Sequence, residues 1–411
     1  MARRLVLDLR PLKVSPAYRR MWAGWTVAQV GQAMATVAVG IQVYDITGSS
    51  FAVGMIGAAA FFPLVVFGLY GGSISDTHDR RLVALTASAG LWICSAVLLV
   101  QSLAGLDQVW LLYLVVASQS GFFAVNNPAR QAIVPRLIEP ELLPSANALA
   151  NLTFSAGFTV GPLAGGLVIG GLGLSWAYAI DAVLFAAAIY GLFRLPSIPP
   201  EAEPHRTGWA AVWEGLRFLS TRRNLLMTFV VDLCAMVLAQ PRALFPALAI
   251  TTFGGGARTV GLLAAAPAVG AVLAGVFSGW LSSVRRQGLM VVLMVCGYGA
   301  AVAAFGLTSW LSLALLFLAL TGGFDMISAV FRSTILQVAT PDELRGRLQG
   351  VFIVVVAGGP RLGDALVGTT ASLWGEHAAI VIGGVACVVG TLFFTFRNRG
   401  FLRYDARHPV A

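Results

Sequence analysis

Twelve long apolar runs constrain this sequence more than any other feature. Each run has about 20 residues and few charges, which is the length that a helix needs to cross the hydrocarbon core of a bilayer. Only 11% of the residues are charged, against about 25% in a soluble protein, so lipid is the expected solvent for most of the chain. The predicted spans lie at about residues 21–44, 51–72, 82–104, 109–129, 145–169, 174–194, 224–249, 259–281, 288–308, 310–331, 348–371 and 377–396.

Basic residues are distributed very unevenly between the two sides of this predicted membrane protein. The connections on one side carry Asp45, Asp107, Glu376 and His377 but a single basic residue, Arg258. Basic residues mark the cytoplasmic side, so we expect both termini in the cytoplasm and the net charge of +9 to reflect orientation rather than nucleic-acid binding. The expected cytoplasmic basic residues are Arg3, Arg4, Arg10, Lys13, Arg19, Arg20, Arg80, Arg81, Arg136, Arg206, Arg217, Arg222, Arg223, Arg285, Arg286, Arg345, Arg347 and those from Arg397 to Arg407.

The chain is predicted to consist of two related halves, giving an all-α membrane protein of twelve transmembrane helices in two six-helix, pseudo-symmetric bundles. Related halves with a site between them are the plan of many secondary transporters. The expected parts are a cytoplasmic segment at 1–20, a bundle at 21–195, a central cytoplasmic loop at 196–223, a second bundle at 224–396 and a cytoplasmic tail at 397–411. One offset of 202 residues relates Arg130 to Arg332, Glu141–Leu142 to Glu343–Leu344, Gly157 to Gly359, Gly161 to Gly363 and Gly166 to Gly368.

The connection between the second and third spans carries a motif of glycine, acid and arginine. Gly72-Ser-Ile-Ser-Asp76-Thr-His-Asp79-Arg80-Arg81 resembles the G-x-x-x-D-x-x-D/G-R-R motif of the major facilitator superfamily, in which this loop latches a cytoplasmic gate. Thr77 stands where a basic residue usually follows the aspartate, which predicts a weaker latch. The alternative is a basic loop with a turn glycine. The gating residues expected here are Gly72, Asp76, Arg80, Arg81, Arg345 and Arg347.

The fifth span carries a second motif of closely spaced small residues. It resembles the G-x-x-x-G-P-x-x-G-G motif associated with antiporters of the same superfamily, and the alternative is ordinary close packing of helices through small residues. The second half keeps the glycines but has Asp364 in place of the proline. The antiporter-like residues are Gly157, Gly161, Pro162, Gly165 and Gly166.

Two inner loops resemble a particular branch of the superfamily. The first is Asn127-Pro-Ala-Arg-Gln-Ala-Ile-Val-Pro-Arg136, and its counterpart is Thr340-Pro-Asp-Glu-Leu-Arg345-Gly-Arg347. With Tyr44-Asp-Ile-Thr-Gly-Ser-Ser50, they are similar to the branch of enterobactin exporters and macrolide-efflux proteins over nearly the whole chain. The resemblance implies efflux of a siderophore or a macrolide-like drug, and it leaves the cargo itself open.

Charged residues within the predicted spans are candidates for coupling and gating, because charge is costly in lipid. Asp232 and Asp325 are the candidate proton carriers, since a carboxylate away from water favours its protonated form. The alternative is that they form ion pairs with Arg242 or Arg361 across the halves. Arg361 and Asp364 lie three residues apart on one helical face, which predicts an ion pair with a structural or gating role.

Polar residues at helical spacing mark two further span faces that could line a cavity. Polar side chains within lipid-embedded helices face other helices or water, so hydrogen bonds between helices are the alternative to cargo contact. The cavity candidates are Gln29, Gln32 and Thr36 of the first span, Gln119 and Asn126 of the fourth, and Asp181 and Arg242 of the sixth and seventh.

The hypothesis that accounts for these features is alternating access driven by protons. The chain has no G-x-x-x-x-G-K-[ST] sequence for ATP, no paired cysteines and no clustered histidines, so we expect no cofactor and no metal. An importer or uniporter on the same scaffold is one alternative, and a membrane enzyme or scaffold protein is another. We expect a monomer in a bacterial inner membrane whose partners are a small-molecule substrate and the bilayer, and not nucleic acid.

Overall fold

A computed structural model describes residues 8–199, 213, 217, 219–339 and 353–405. The described chain is built from twelve long helices, which confirms the predicted all-α membrane fold, and eleven of them are long and apolar enough to span a bilayer unaided. In chain order the helices are α1 Pro16–Thr47, α2 Ser50–Thr77, α3 Arg80–Leu103, α4 Val109–Leu137, α5 Leu143–Leu172, α6 Leu174–Phe193, α7 Arg223–Thr251, α8 Ala257–Val276, α9 Gln287–Gly306, α10 Leu311–Ala339, α11 Gly358–Trp374 and α12 Glu376–Arg397.

Local sequence signals set where several of these helices begin and end. Ser15 caps α1 by accepting a hydrogen bond from the Tyr18 amide, and Gly48 ends the helix with a φ of 61°, a left-handed conformation that suits glycine. Ser49 then caps α2 in the same way as Ser15 caps α1. Such caps matter at a membrane boundary, because few other partners satisfy the first amides of a helix.

Two helices of the second half adjoin or contain segments of irregular backbone. Helix α7 changes to a π-helix at Cys234–Leu238 and is broken before Arg242–Leu244, next to Pro241, which has no amide hydrogen to donate. A π-helix at Ile353–Ala357 likewise precedes α11, and the regular part of α11 is only 17 residues long. Irregular backbone is tolerated within a bilayer only where protein or a water-filled cavity surrounds it.

The helices of each half pack in the same order. In the first half α4 lies between α2 and α3, and α1 lies between α5 and α6. Helix α3 also packs against α6, which joins these two groups of helices. The second half repeats this arrangement with α10 between α8 and α9, and α9 against α12. The two halves meet along α2 and α11 and along α5 and α8. Helices α1, α4, α7 and α10 therefore form the inner walls that face the space between the halves.

Glycines allow the closest contacts of these two seams. A Cβ atom added to Gly166 would lie 2.9 Å from the Cα atom of Gly261, and one added to Gly368 would lie 2.9 Å from the Cα atom of Gly54. Gly166 and Gly368 are equivalent in the repeat, so each half contributes the same glycine to the partner half. We call the end where α1 begins and α12 ends the inner end; Gly54 and Gly368 lie toward the outer one.

Candidate functional site

The inner wall of the second half holds a cluster of two carboxylates and one arginine. Arg332 of α10 forms ion pairs with Asp232 of α7, through Nη1, and with Asp325, two turns earlier on the same face of α10, at 3.3 Å through Nη2. The Asp232 side chain is 5% exposed and that of Asp325 is 41% exposed. Two acids share one base, so the cluster carries an excess negative charge when both acids are ionised.

This cluster differs from the ion pairs that the sequence suggested. Neither Arg242 nor Arg361 is the partner of Asp232 or Asp325, because α10 lies beside α7 on the inner wall and brings Arg332 to both acids. Arg332 was not singled out as a membrane charge. The signal that could have identified it was its repeat relation to Arg130.

The equivalent arginine of the first half has a different environment. Arg130 of α4 is 5% exposed and donates hydrogen bonds to Asn126 Oδ1 at 2.6 Å and to Ser88 Oγ at 3.2 Å. Its guanidinium carbon lies 4.1 Å from the centre of the Trp25 ring, a cation–π contact. Arg130 Nη1 is buried without a hydrogen-bond partner, and no carboxylate of the described residues lies within 4 Å of the group.

Asp364 and Arg361 lie on α11 at the seam with α2, close to Gly57. The expected ion pair between them does not form within 4 Å in the described part of the chain. Asp364 is buried beside the break in α7, where the charges of both Arg242 and Arg361 act on it.

Asp181, a candidate cavity residue from the sequence, lies inside the first bundle. It is fully buried between α1, α3 and α6, and accepts a 2.6 Å hydrogen bond from Ser95 Oγ. A Cβ atom added to Gly31 would lie 2.9 Å from Asp181 Oδ1, an oxygen that has no hydrogen-bond partner. Asp181 therefore belongs to the interior of the first bundle and not to its inner wall.

The predicted polar faces divide between cavity and bundle interior. Gln29 is half-buried on α1 and its Oε1 atom has no hydrogen-bond partner, whereas Thr36 is exposed and donates to the Gln32 carbonyl of its own helix at 2.8 Å. On α4, Gln119 is half-buried, but Asn126 is fully buried and donates to the Ala84 carbonyl and to Ser88. Asn126 therefore joins helices within the bundle, which is the alternative that the sequence left open.

The predicted gating motif links inner parts of the first half. Arg80 Nη1 donates to the Ala132 carbonyl of α4, and Arg81 Nη2 donates to the Phe193 carbonyl of α6 at 2.7 Å. Gly72 and Asp76 lie in α2, and the side chain of Asp76 is not described. Arg345 and Arg347 lie outside the described residues.

Asp79 is a member of this motif that was not singled out from the sequence. It caps α3 and accepts hydrogen bonds from Ser197 Oγ and the Ile198 amide, so it connects the α2–α3 loop to the chain beyond α6. Burial acts to raise the pKa of Asp79, but the hydrogen bonds from Ser197 and from the amides of Ile198, Arg81 and Leu82 outweigh it and leave the pKa below its ordinary value.

The antiporter-like motif is a packing surface on both sides of α5. Added Cβ atoms at Gly161 and Gly165 would lie 2.5 Å from Ala33 and 3.0 Å from Met34 of α1. Gly166 and the Pro162 carbonyl instead face Gly261 of α8 in the other half. The motif therefore packs against the inner-wall helix α1 on one side and against the other half on the other side. A movement of one half relative to the other must change these contacts.

A polar contact also joins the halves at their outer ends, where Ser50 Oγ of α2 donates to Glu376 Oε1 of α12 at 2.9 Å. The neighbouring His377 contacts Thr252 Oγ1 at 2.9 Å and the Gly306 carbonyl at 2.7 Å, both within the second half. Glu376 and His377 are two of the few ionisable residues that the sequence placed on this side. Within the described residues, no group of three or more His, Cys, Asp or Glu side chains could hold a metal ion.

The arrangement of helices and the sequence itself match one family of known proteins. The model of the family described as transmembrane secretion effector matches residues 8–403, nearly the whole chain. The protein belongs to this family of major facilitator transporters. It is therefore an efflux transporter and not an enzyme.

Curated relatives are similar to the protein from end to end. An enterobactin exporter from Citrobacter koseri is 28% identical over 410 residues, which cover 98% of this chain and 97% of that protein. An enterobactin exporter from Escherichia coli O81 is 29% identical over 389 residues, covering 93% of this chain and 92% of that one. The predicted resemblance to the enterobactin-exporter branch is thus confirmed.

Solved structures support the same fold. The nucleoside transporter NupG aligns with a TM-score of 0.74 at 14% identity, over 95% of this chain and 100% of that one. A bacterial homologue of the lysosomal transporter Spinster, in an inward-facing and unoccupied conformation, aligns with a TM-score of 0.69 at 14% identity, over 97% and 98% of the two chains. At this identity the likeness concerns the fold.

Proposed function

We propose that the protein exports a small amphipathic organic molecule, of the siderophore or macrolide class, in exchange for protons across a bacterial inner membrane. Both termini would lie in the cytoplasm, where the basic connections are concentrated. The relatives named as enterobactin exporters support the siderophore class. The fold supports alternating access, in which the two halves rock about a site between their inner walls.

The observation that carries proton coupling is the sharing of Arg332 by Asp232 and Asp325. One arginine can neutralise one carboxylate, so a second ionised carboxylate beside it is disfavoured by repulsion between the like charges. A single proton relieves this excess charge. The two acids then titrate as a coupled pair, and the proton belongs to the cluster rather than to one residue.

The geometry suggests how a proton could drive the conformational change. Asp232 lies on α7 and Arg332 on α10, so their ion pair ties together the two inner-wall helices of the second half. Protonation of Asp232 would weaken this ion pair, and loss of that proton would restore it. Arrival of the proton from the outer side and its release on the inner side would make the cycle directional, because each step favours one arrangement of α7 and α10.

The test is efflux from proteoliposomes that contain the purified protein. Vesicles loaded with enterobactin or with a macrolide are given a pH gradient, and release is followed for the wild type, Asp232→Asn and Asp325→Asn. Asp107→Asn, in an exposed outer connection, is the matched control. We expect gradient-driven release from the wild type and the control, and at least tenfold slower gradient-driven release from the double variant Asp232→Asn/Asp325→Asn.

Two results would contradict the proposal. If the double variant responds to the gradient like the wild type, the cluster does not carry the proton. If the wild type releases neither compound under any gradient, while a soluble dye stays trapped, the assigned cargo classes are wrong.

A further inference from the structure

Among the described residues, no carboxylate balances the buried guanidinium of Arg130 in the first half. The residue is 5% exposed, and its Nη1 atom has no hydrogen-bond partner within the described part of the chain. Asp181, the buried acid described in this half, is bound to Ser95, seven residues along α3 from Ser88 and so about 10 Å away along the helix. A buried charge without a counter-ion costs several kcal/mol, so its retention calls for a partner from outside the chain.

The internal repeat shows what replaces the missing acids. The offset of 202 residues that relates Arg130 to Arg332 also relates Phe123 to Asp325. The seam glycines Gly54 and Gly261 are 207 residues apart, and the same offset relates Trp25 to Asp232. Both acids that contact Arg332 thus correspond to aromatic residues near Arg130.

The position of these aromatic residues makes the group reachable from the space between the halves. Trp25 lies on α1 and Phe123 on α4, the two inner-wall helices, and both are half-buried. Both pack on the same interior cluster, which includes Leu91 and Phe185. Gln29 lies one turn along α1 from Trp25 and has a second buried polar atom, Oε1, without a partner. A donor and an acceptor are therefore both unused beside two aromatic rings.

We propose that Arg130 binds an anionic oxygen group of the cargo, a carboxylate or a phenolate, and that Trp25 and Phe123 contact the ring that carries it. This inference rests on the proposed export function and names the substrate chemistry of the same site. An arginine suits the task, because its planar guanidinium donates two parallel hydrogen bonds to an anionic oxygen pair and also stacks on aromatic rings.

The contact between Arg130 and Trp25 joins the two inner-wall helices of the first half. The guanidinium carbon lies 4.1 Å from the centre of the Trp25 ring, so the ring covers one face of the group and leaves its N–H edge to donate to the anion. Trp25 is on α1 and Arg130 on α4, so a bound anion would contact both helices. The second half would respond to a proton at its equivalent position, and the first half to an anion.

The experiment measures ligand-induced thermal stabilisation of the purified full-length protein. The carboxylate arm compares benzoate with benzamide, and the phenolate arm compares 4-nitrophenolate with 4-nitroanisole. We expect the wild type to bind one anion at least about tenfold more tightly than its neutral analogue, the discrimination typical of a charge-assisted hydrogen bond. The arm that shows the preference identifies the anionic group.

Two variants locate the preference. Arg130→Gln should bind the anion and its neutral analogue equally well, and Trp25→Asp should do the same by supplying the carboxylate that the second half already has. Arg194→Gln is the matched control, because Arg194 is an exposed arginine that also lies over an aromatic ring, at 5.5 Å from Tyr190. Arg194→Gln should keep the wild-type preference.

The proposal is overturned if the wild type shows no preference in either arm, or if a folded Arg130→Gln or Trp25→Asp protein keeps it. Enterobactin efflux is measured on the same preparations. If efflux occurs but no anion preference is seen, the Arg130 proposal is wrong and the export proposal is supported. If an anion preference is seen but no efflux occurs, the export proposal is wrong and the Arg130 proposal is supported.

Discussion

The two halves of this transporter keep the same arginine and surround it differently. Arg332 is bound by Asp232 and Asp325, whereas Arg130 lies against Trp25 and donates to neutral oxygens. The packing order of the helices and the seam glycines are nevertheless shared. A duplicated fold can thus keep its helix packing and one arginine in each half, while the residues at two neighbouring positions, aromatic in one half and acidic in the other, give the halves different chemistry.

The largest expected effect is a difference in unfolding free energy between variants of the two equivalent arginines. Arg332→Gln leaves Asp232 and Asp325 without a base, and breaking such a buried pair costs about 3–5 kcal/mol of unfolding free energy. Arg130→Gln removes an unbalanced charge and two hydrogen bonds, so its cost should be below about 2 kcal/mol. Thermal denaturation in detergent checks both. Equal losses in the two variants would mean that the halves do not differ in charge balance.

The next effect distinguishes the two acids of the second half. Asp232→Asn removes a charged partner that is 5% exposed and should cost about 2–3 kcal/mol, whereas Asp325→Asn, at 41% exposure, should cost less than about 1 kcal/mol. Chemical denaturation of the purified variants measures the difference. A larger loss of stability for Asp325→Asn than for Asp232→Asn would mean that Asp325, and not Asp232, forms the main ion pair with Arg332.

The seams test where the halves should behave alike. Gly166→Val and Gly368→Val each force a side chain against a partner glycine whose Cα atom would lie 2.9 Å from the new Cβ atom. Overpacking of this kind costs about 1–3 kcal/mol, and we expect the two losses to agree within about 1 kcal/mol. Gly171→Val, where no atom lies within 4 Å, is the control. A large loss in only one seam would show that the pseudo-symmetry is superficial.

The smallest expected effect concerns the caps of equivalent helices α3 and α9. Asp79 caps α3 through its side chain, whereas Arg286 makes no such cap at α9. Asp79→Ala should therefore cost about 1 kcal/mol. Because the folded pKa of Asp79 is lowered, this contribution is present above the ordinary value of 3.8 and is lost as the pH falls toward the folded pKa.

Stability profiles of the wild type and Asp79→Ala test this pH dependence. They should differ at neutral pH and converge in acid, below the ordinary carboxyl pKa. Arg286→Ala provides the comparison in the second half and should show no such pH-dependent loss. A constant difference between wild type and Asp79→Ala at all pH values would contradict the assigned cause.

Much of the frame was predictable from the sequence, because lipid demands long apolar helices and the repeat fixes their order. Helix ends were less predictable: α4 and α10 extend to Leu137 and Ala339, several residues beyond the apolar runs that ended at 129 and 331. Hydropathy records where lipid ends, and a helix can continue into the cytoplasmic layer for as long as its residues favour it.

The site was less predictable, because ion pairs depend on which helices become neighbours. Asp232 was recognised as a buried acid, but its partner Arg332 lies 100 residues away on a helix whose position only the packing defines. Asn126 likewise had the spacing of a cavity residue, yet it faces α3 inside the bundle. The spacing of residues along a helix shows which of them share a face, but only the packing of the helices shows whether that face contacts a neighbouring helix or a cavity.

The most direct test of the account is the number of protons released when cargo binds. Purified protein in weakly buffered detergent solution is mixed with enterobactin while the pH is recorded. The wild type, whose proton resides in the Asp232–Asp325–Arg332 cluster, should release about one proton more per bound cargo than the double variant Asp232→Asn/Asp325→Asn, because cargo and proton compete through linked conformations. A proton that the cargo itself loses on binding is released by both proteins and cancels in this comparison. The same release from that variant would contradict the account.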